Sequence, residues 1–237
     1  YADIACYAAK DAGRNCYRIY TESVSDIAKV HGEMEWVTKI NWALENNMFC
    51  LYAQIIKPNE QNTIVGLHYE VLLRMIDESG SIIAPGVFLS AAERYHLTTK
   101  IDMWVIENQF EYLSKHPKHL ANLALCSINL SGPSLTAPGF QQTVIDLINN
   151  YRIPAEKICF EITETAAISN LTDATAFIDA MHKKGCSFAL DDFGTGLSSF
   201  AYLKYLPVDY LKIDGVFVKG IVDDPIDYAM VKSIHEV

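Results

Sequence analysis

Residues 188–199, FALDDFGTGLSS, carry an apolar run of strand type into two adjacent carboxylates, Asp191 and Asp192. A buried strand has no use for neighbouring negative charges, since even one unpaired buried charge costs on the order of several kcal/mol. Something positive must sit there, either a Lys or Arg from elsewhere in the chain or a divalent cation held by oxygen. Gly194 and Gly196 follow in the spacing of a tight turn, which reaches backbone conformations other residues avoid. Similar groups close other apolar runs: Glu70 and Arg74, Asn129 in SINLS, Glu161 and Glu164 in FEITE, and Lys212 and Asp214 in YLKID. Glu70, Asn129, Glu161 and Asp191 supply oxygen donors alone, which suits Mg²⁺, Mn²⁺ or Ca²⁺ and argues against zinc held by thiolate and imidazole. With Asp192 beside Asp191, a second cation about 3.5–4 Å from the first would lower the pKa of a bound water and stabilise both the attacking and leaving oxygens. Lys212 is placed to orient that water or take its proton, and Arg74 and the Gln54 amide to hold phosphate oxygens or a base edge.

Each of these residues has a plainer role. Taken singly, a strand-terminal Glu or Asn is more often a helix cap or a surface group, and Asp214 reads as the cap of the helix that follows. Glu164 reads as a support for the loop after Asp192 rather than a metal ligand. His116 and His119 sit in a charged turn and read as solvated, while His68, one pleat from Glu70, reads as a satisfied core histidine. The coincidence of polar groups at successive strand ends favours the site.

Those groups need a scaffold. Residues 33–45 have the spacing of an amphipathic helix, residues 48–56 and 63–74 read as strands, and residues 88–95 and 101–113 as helices. Strands at 124–130, 157–163, 187–191 and 209–214 then alternate with helices at 138–151, 172–184, 198–205 and 225–237, the signature of parallel βαβ units. Their nearly continuous apolarity fits a sheet covered on both faces. Side chains alternate along a strand, so Glu70, Leu72 and Arg74 share a face, as do Lys212 and Asp214. Polar groups at many carboxyl ends favour a (β/α)-barrel, because an open doubly wound sheet would gather ligands at one switch point.

The 237 residues allow one large domain or a domain with a fragment of another. Half the residues are apolar and the net charge is −10, which disfavours polymeric nucleic acid or an anionic membrane as partner. Six cysteines without a CxxC pair read as reduced thiols in a cytoplasmic protein. No run has the length of a membrane span. The chain begins at Tyr1 rather than Met, so it reads as cut from something longer, with any upstream sensor or membrane anchor out of sight.

In order and approximate spacing, Glu70-Val71-Leu72, SINLS, FEITE, LDDFGTG and YLKID resemble the blocks of the EAL domain, the cyclic di-GMP phosphodiesterase family. The resemblance covers residues 33–237. Residues 1–20 resemble the closing helix and strand of a GGDEF, or diguanylate cyclase, domain, with residues 21–32 as a linker or linking helix. The fold implied is α/β, a TIM-like (β/α)8 barrel of EAL type. The chain stops at Val237, so the domain is expected to be truncated, lacking its last strands and a further metal-site Glu. The activity implied is hydrolysis of cyclic di-GMP to linear pGpG with Mg²⁺ or Mn²⁺ in bacterial second-messenger signalling, by a homodimer. Carried over by position, Glu70, Asn129, Glu161 and Asp191 would ligate one metal, with Asp191 bridging to a second beside Asp192. Lys212 would act on the water, Glu164 would brace residues 193–199, and Gln54 and Arg74, with Asp214, would contact the substrate. Ile55, Met75 and Leu197 depart from the residues usual at those positions, with affinity or loop packing expected to change rather than the chemistry. A catalytically silent cyclic di-GMP receptor is the main alternative: such receptors typically lose acidic ligands, none of the visible ones is lost here, and the unseen carboxyl-terminal Glu leaves that reading open. An enolase-like lyase has a similar acidic rim but no reason for the ordered blocks.

Overall fold

The computed structural model describes residues 24–59, 65–194 and 200–236. The helix, strand and GGDEF resemblance read over residues 1–20 lie outside them, as do Gly196 and Leu197. Residues 24–32, read as a linker or linking helix, are continuous with the amphipathic stretch after them in one helix, α1 (Val24–Glu45).

Strand β1 (Phe49–Ile55) runs antiparallel to β2 (Leu67–Ile76), from Phe49 opposite Met75 to Ile55 opposite Tyr69. The end of β2 turns through Asp77, whose Oδ1 accepts from the backbone of Ser79 and Ser81, and pairs back with β3 (Ile82–Ile83). Helices α2 (Pro85–Arg94), α3 (Thr98–Lys115) and α4 (Pro117–Asn122) lead to β4 (Leu123–Asn129). Then come α5 (Gly132–Thr136), α6 (Phe140–Tyr151), β5 (Ile158–Thr163), α7 (Glu164–Ser169), α8 (Leu171–Lys184) and β6 (Ser187–Phe193). A 3₁₀ turn (Phe200–Lys204), β7 (Tyr210–Ile213), α9 (Gly215–Gly220) and α10 (Pro225–His235) complete the described chain. Helices of five or six residues, such as α5, α7 and α9, show too little periodicity to be read beforehand.

The sheet order is β1-β2-β4-β5-β6-β7, with β3 on the side of β2. All pairings from β2 through β4, β5, β6 and β7 are parallel. Among the described residues β1 and β7 are unjoined edges: the sheet is open, where the expectation is a TIM-like barrel lacking its last strands. So few strands do not close at the tilt an eight-stranded barrel uses.

One face of this sheet holds the main core. Cys126, Ile128, Phe160, Ile162, Phe188 and Leu190 are buried with Phe110, Val144, Phe177 and Met181 of the covering helices. Phe188 lies 5.8 Å from Phe160 and 6.0 Å from Phe177, ring to ring. The alternate residues form a small second cluster, Leu125, Cys159 and Ala189. One pleat further along each of these strands stand Ser127, Glu161 and Asp191. The alternation that packs the helices thus aims the carboxylates at the opposite face.

Candidate metal-binding active site

Parallel strands with matched registers bring their carboxyl ends to one edge. Glu70 pairs with Ser127, Asn129 with Glu161, and Thr163 with Asp191. Carboxylate oxygens of Glu70, Glu161 and Asp191 lie within 4.8 Å of one another. Asn129 joins them, its Nδ2 donating to Glu70 Oε1 at 2.8 Å. Lys212 reaches in from β7, its Nζ donating to Glu70 Oε2 and Asp191 Oδ2 at 3.1 Å each and to Glu161 Oε2.

The electrostatics follow from burial and charge. Glu161 is 2% exposed. Burial raises its carboxyl pKa, Glu70 adds to the effect, and Lys212 and Ser127 oppose it. Burial works against the charge on Lys212, but Glu161, Asp191 and Glu70 outweigh it and lift the ammonium well above the usual lysine range. Asp192 is raised by burial and by the neighbouring charges of Asp191 and Asp214.

Asp191 and Asp192 sit where the pairing of β6 with β7 shifts register between Leu190 and Phe193. Such a bulge re-aims side chains. Asp192 takes φ +54°, a left-handed conformation that non-glycine residues seldom adopt. Asp191 points into the carboxylate cluster, and Asp192 stands exposed beside it.

The remaining candidates form a wall and a brace. Gln54 lies directly opposite Glu70 on β1, so the two share a face. Arg74 lies two pleats beyond Glu70, on the part of β2 that runs past its pairing with β4. Its guanidinium stacks over the Tyr52 ring at 5.2 Å and donates to Leu73 O at 2.7 Å. Glu164 is buried and stands outside the cluster: Oε2 accepts from Gly194 N at 3.0 Å and Oε1 from Tyr202 Oη at 2.7 Å. It touches the loop after β6, not the converging oxygens. Asp214 caps α9, its Oδ1 accepting from Val216 N at 2.6 Å. Tyr52, Ser127 and Tyr202 were not singled out in the sequence, because single aromatic or hydroxyl residues carry no spacing signal.

The histidines divide differently from expectation. His119 is not a solvated loop residue: its Nε2 lies 3.0 Å from Tyr69 Oη, and both belong to a partly buried network with Gln109. It lies on α4, which is too short to announce itself. His116 stacks on Tyr112 with ring centroids 4.1 Å apart. His68 is half-buried on the strand carrying Glu70, its pKa lowered by burial and by Lys212.

The donor set fits a hard divalent cation: three carboxylates and an amide converge, with a cation already drawn into their midst as Lys212. An acidic centre at the carboxyl edge of parallel strands, backed by helices on the far face, defines an α/β protein with its site on the catalytic rim. The EAL domain family model matches residues 38–237, and the chain belongs to that family. It is 42% identical over 236 residues to the cyclic di-GMP phosphodiesterase PdeB of Shewanella oneidensis, covering 100% of this chain and 27% of that protein. It is 38% identical over 202 residues to the cyclic di-GMP phosphodiesterase PdeF of Escherichia coli, covering 84% of this chain and 26% of that one. The chain thus spans about a quarter of the length of these relatives. The fold superposes on the FimX EAL domain of Pseudomonas aeruginosa bound to c-di-GMP with a TM-score of 0.77 and 30% identity, over 85% of this chain and 79% of that one. The structure described as the PaMucR phosphodiesterase in complex with c-di-GMP gives 0.74 and 28%, over 84% and 80%.

Proposed function

We propose that the chain is the catalytic part of a metal-dependent phosphodiesterase that hydrolyses one phosphodiester bond of cyclic di-GMP to give linear pGpG. The observation that carries this reading is the convergence of Glu70, Glu161 and Asp191 within 4.8 Å, in a chain 42% identical to a cyclic di-GMP phosphodiesterase. In this reading Glu70, Asn129, Glu161 and Asp191 hold one Mg²⁺ or Mn²⁺, and Asp191 with Asp192 holds a second. Bound there, the cations would polarise the phosphate and lower the pKa of a water. Lys212, protonated among the carboxylates, holds the attacking water by donation. Gln54 and Arg74 grip the dinucleotide along the wall of β1 and β2, with the Tyr52 ring beside it, and Asp214 keeps its free oxygen toward the substrate while capping α9. Glu164 braces the loop that carries Asp192. A TIM-like barrel lacking its last strands, a preceding GGDEF remnant, a homodimer and a cytoplasmic location belong to the same reading. No described helix is long and apolar enough to cross a membrane.

The test is incubation of the chain with cyclic di-GMP and Mg²⁺ or Mn²⁺, with the products separated by chromatography. Linear product is expected, falling to the background rate with Asp191→Asn. Absence of product at high enzyme concentration, or full activity of that variant, would remove the reading.

A further inference from the structure

Asn129 is the last residue of β4, and a strand end needs something to hold it. On one side it is held by the sheet: it pairs with Glu161, and Leu130 N donates to Glu161 O at 2.8 Å. On the other side the chain meets Asp102, a residue of α3 that is remote in sequence and outside the metal-binding cluster. One oxygen of Asp102, Oδ2, accepts from Ser131 N at 2.8 Å, Ser131 Oγ at 2.6 Å and Ser134 Oγ at 2.6 Å.

This arrangement departs from ordinary capping. Ser131 is the N-cap of α5, where its hydroxyl would normally accept from a backbone N–H of the first turn. Here it makes no such bond. Its hydroxyl turns to Asp102 instead, and its own N–H is satisfied by the same carboxylate. A helix of five residues has little stability of its own, so its position depends on what anchors it. Gly132 adds a close approach: a Cβ there would meet the Ala166 Cβ at 3.3 Å, on the helix that Glu164 opens.

We infer that Asp102 is a positioning residue, fixing Asn129 in the oxygen cluster through Ser131 and the start of α5. The inference rests on the reading of Asn129 as a metal ligand. Partners hydrogen-bonded directly to a ligand typically change metal affinity by about 10–100-fold when lost; Asp102 acts through Ser131, two residues beyond Asn129, so the low end of that range applies. An alanine at this position leaves the Ser131 N–H without its acceptor and the Ser131 and Ser134 hydroxyls, 3.1 Å apart, with only each other, and so frees the backbone just after Asn129. An asparagine keeps a carbonyl oxygen for the backbone N–H.

The test follows Mn²⁺ binding by electron paramagnetic resonance in the parent, Asp102→Ala, Asp102→Asn, Asn129→Ala and the double variant Asp102→Ala/Asn129→Ala. Hydrogen exchange of the Ser131 amide is measured in each, and circular dichroism melts check folding. Asp102→Ala is expected to bind Mn²⁺ about 10-fold more weakly with faster exchange at Ser131, and Asp102→Asn to recover most of that loss. In the Asn129→Ala background the second substitution should change affinity by no more than about 2-fold, because its route to the metal is gone. Parental Mn²⁺ affinity in Asp102→Ala, or losses that simply add in the double variant, would overturn the inference alone. Parental affinity in Asn129→Ala, or no Mn²⁺ binding by the parent, would remove the reading of Asn129 as a ligand and the inference with it.

Discussion

Lys212 donates to three carboxylates at once, and this makes it the residue on which the charge balance of the site turns. Removing one partner from such a cage leaves the others uncompensated, a loss that is large when the group is buried and smaller with the 28% exposure of this side chain. Lys212→Met is expected to cost about 1–3 kcal/mol near pH 8 with divalent cations chelated. The pH dependence has a definite sign. Glu161 already has a raised pKa from burial and Glu70, and Lys212 holds it down. Without the ammonium it rises further, so the folded state binds the proton more tightly than the unfolded chain. Stability then falls as pH rises from the unfolded value, about 4.3, through the raised folded value. Thermal melts of Lys212→Met should therefore approach those of the parent as pH is lowered from about 8 to about 5; a deficit that does not change with pH would show that the cage is not electrostatic. At this scale the sequence was informative where residue type alone decides the chemistry. Asp191 and Asp192 demand a cation wherever they are buried, and Lys212 is the cation in strand register. The links from Asp102 to Ser131 and from Tyr202 to Glu164 span 29 and 38 positions, which no local pattern encodes, and the sequence around Asp192 does not announce its left-handed backbone.

The β6 strand and the turn after it show how an element aims a residue. The bulge at Asp191–Asp192 interrupts the ladder with β7, and the chain then passes through Gly194 at φ +102°. Beneath that glycine lie α9 and α10: a Cβ there would stand 2.9 Å from the Phe217 ring and 3.2 Å from Ile234 Cδ1. Gly194→Ala is thus opposed by both backbone conformation and packing, at a cost of about 1–3 kcal/mol. A melting temperature lower by roughly 2–10 °C is expected, together with slower turnover as the displaced backbone N–H at position 194 is drawn away from Glu164. A variant that melts with the parent would show that the turn does not rest on those helices. The long elements were readable because their periods are distinct: ICFEIT is buried at every position but the last, and α8 carries its buried residues at helical spacing. The overhang of β2 past Arg74 was not readable, since Met75 and Ile76 continue an apolar run whose end is set by pairing with β1 and β3.

Across the whole molecule, function depends on registers agreeing between strands far apart in sequence. Lys212 meets Glu70 across 142 positions, and the contact exists because the intervening parallel pairings keep their alignment, including the register shift between β6 and β7. A one-residue slip in any of them would carry a carboxylate to the helix-covered face. The carboxyl-edge clustering was legible because alternating strands and helices imply a parallel sheet, and parallel strands all end on one side. The open edge between β1 and β7 was legible too, because fewer strands could be read than the eight that close such a barrel. The most direct test of the central claim is crystallographic: crystals of the chain grown with Mn²⁺, with anomalous data collected at the manganese edge. A peak is expected about 2.0–2.5 Å from oxygens of Glu70, Glu161 and Asp191, with the Lys212 ammonium displaced from between them. A fully soaked crystal with no peak at that position, its three carboxylates still closed on Lys212, would contradict the account.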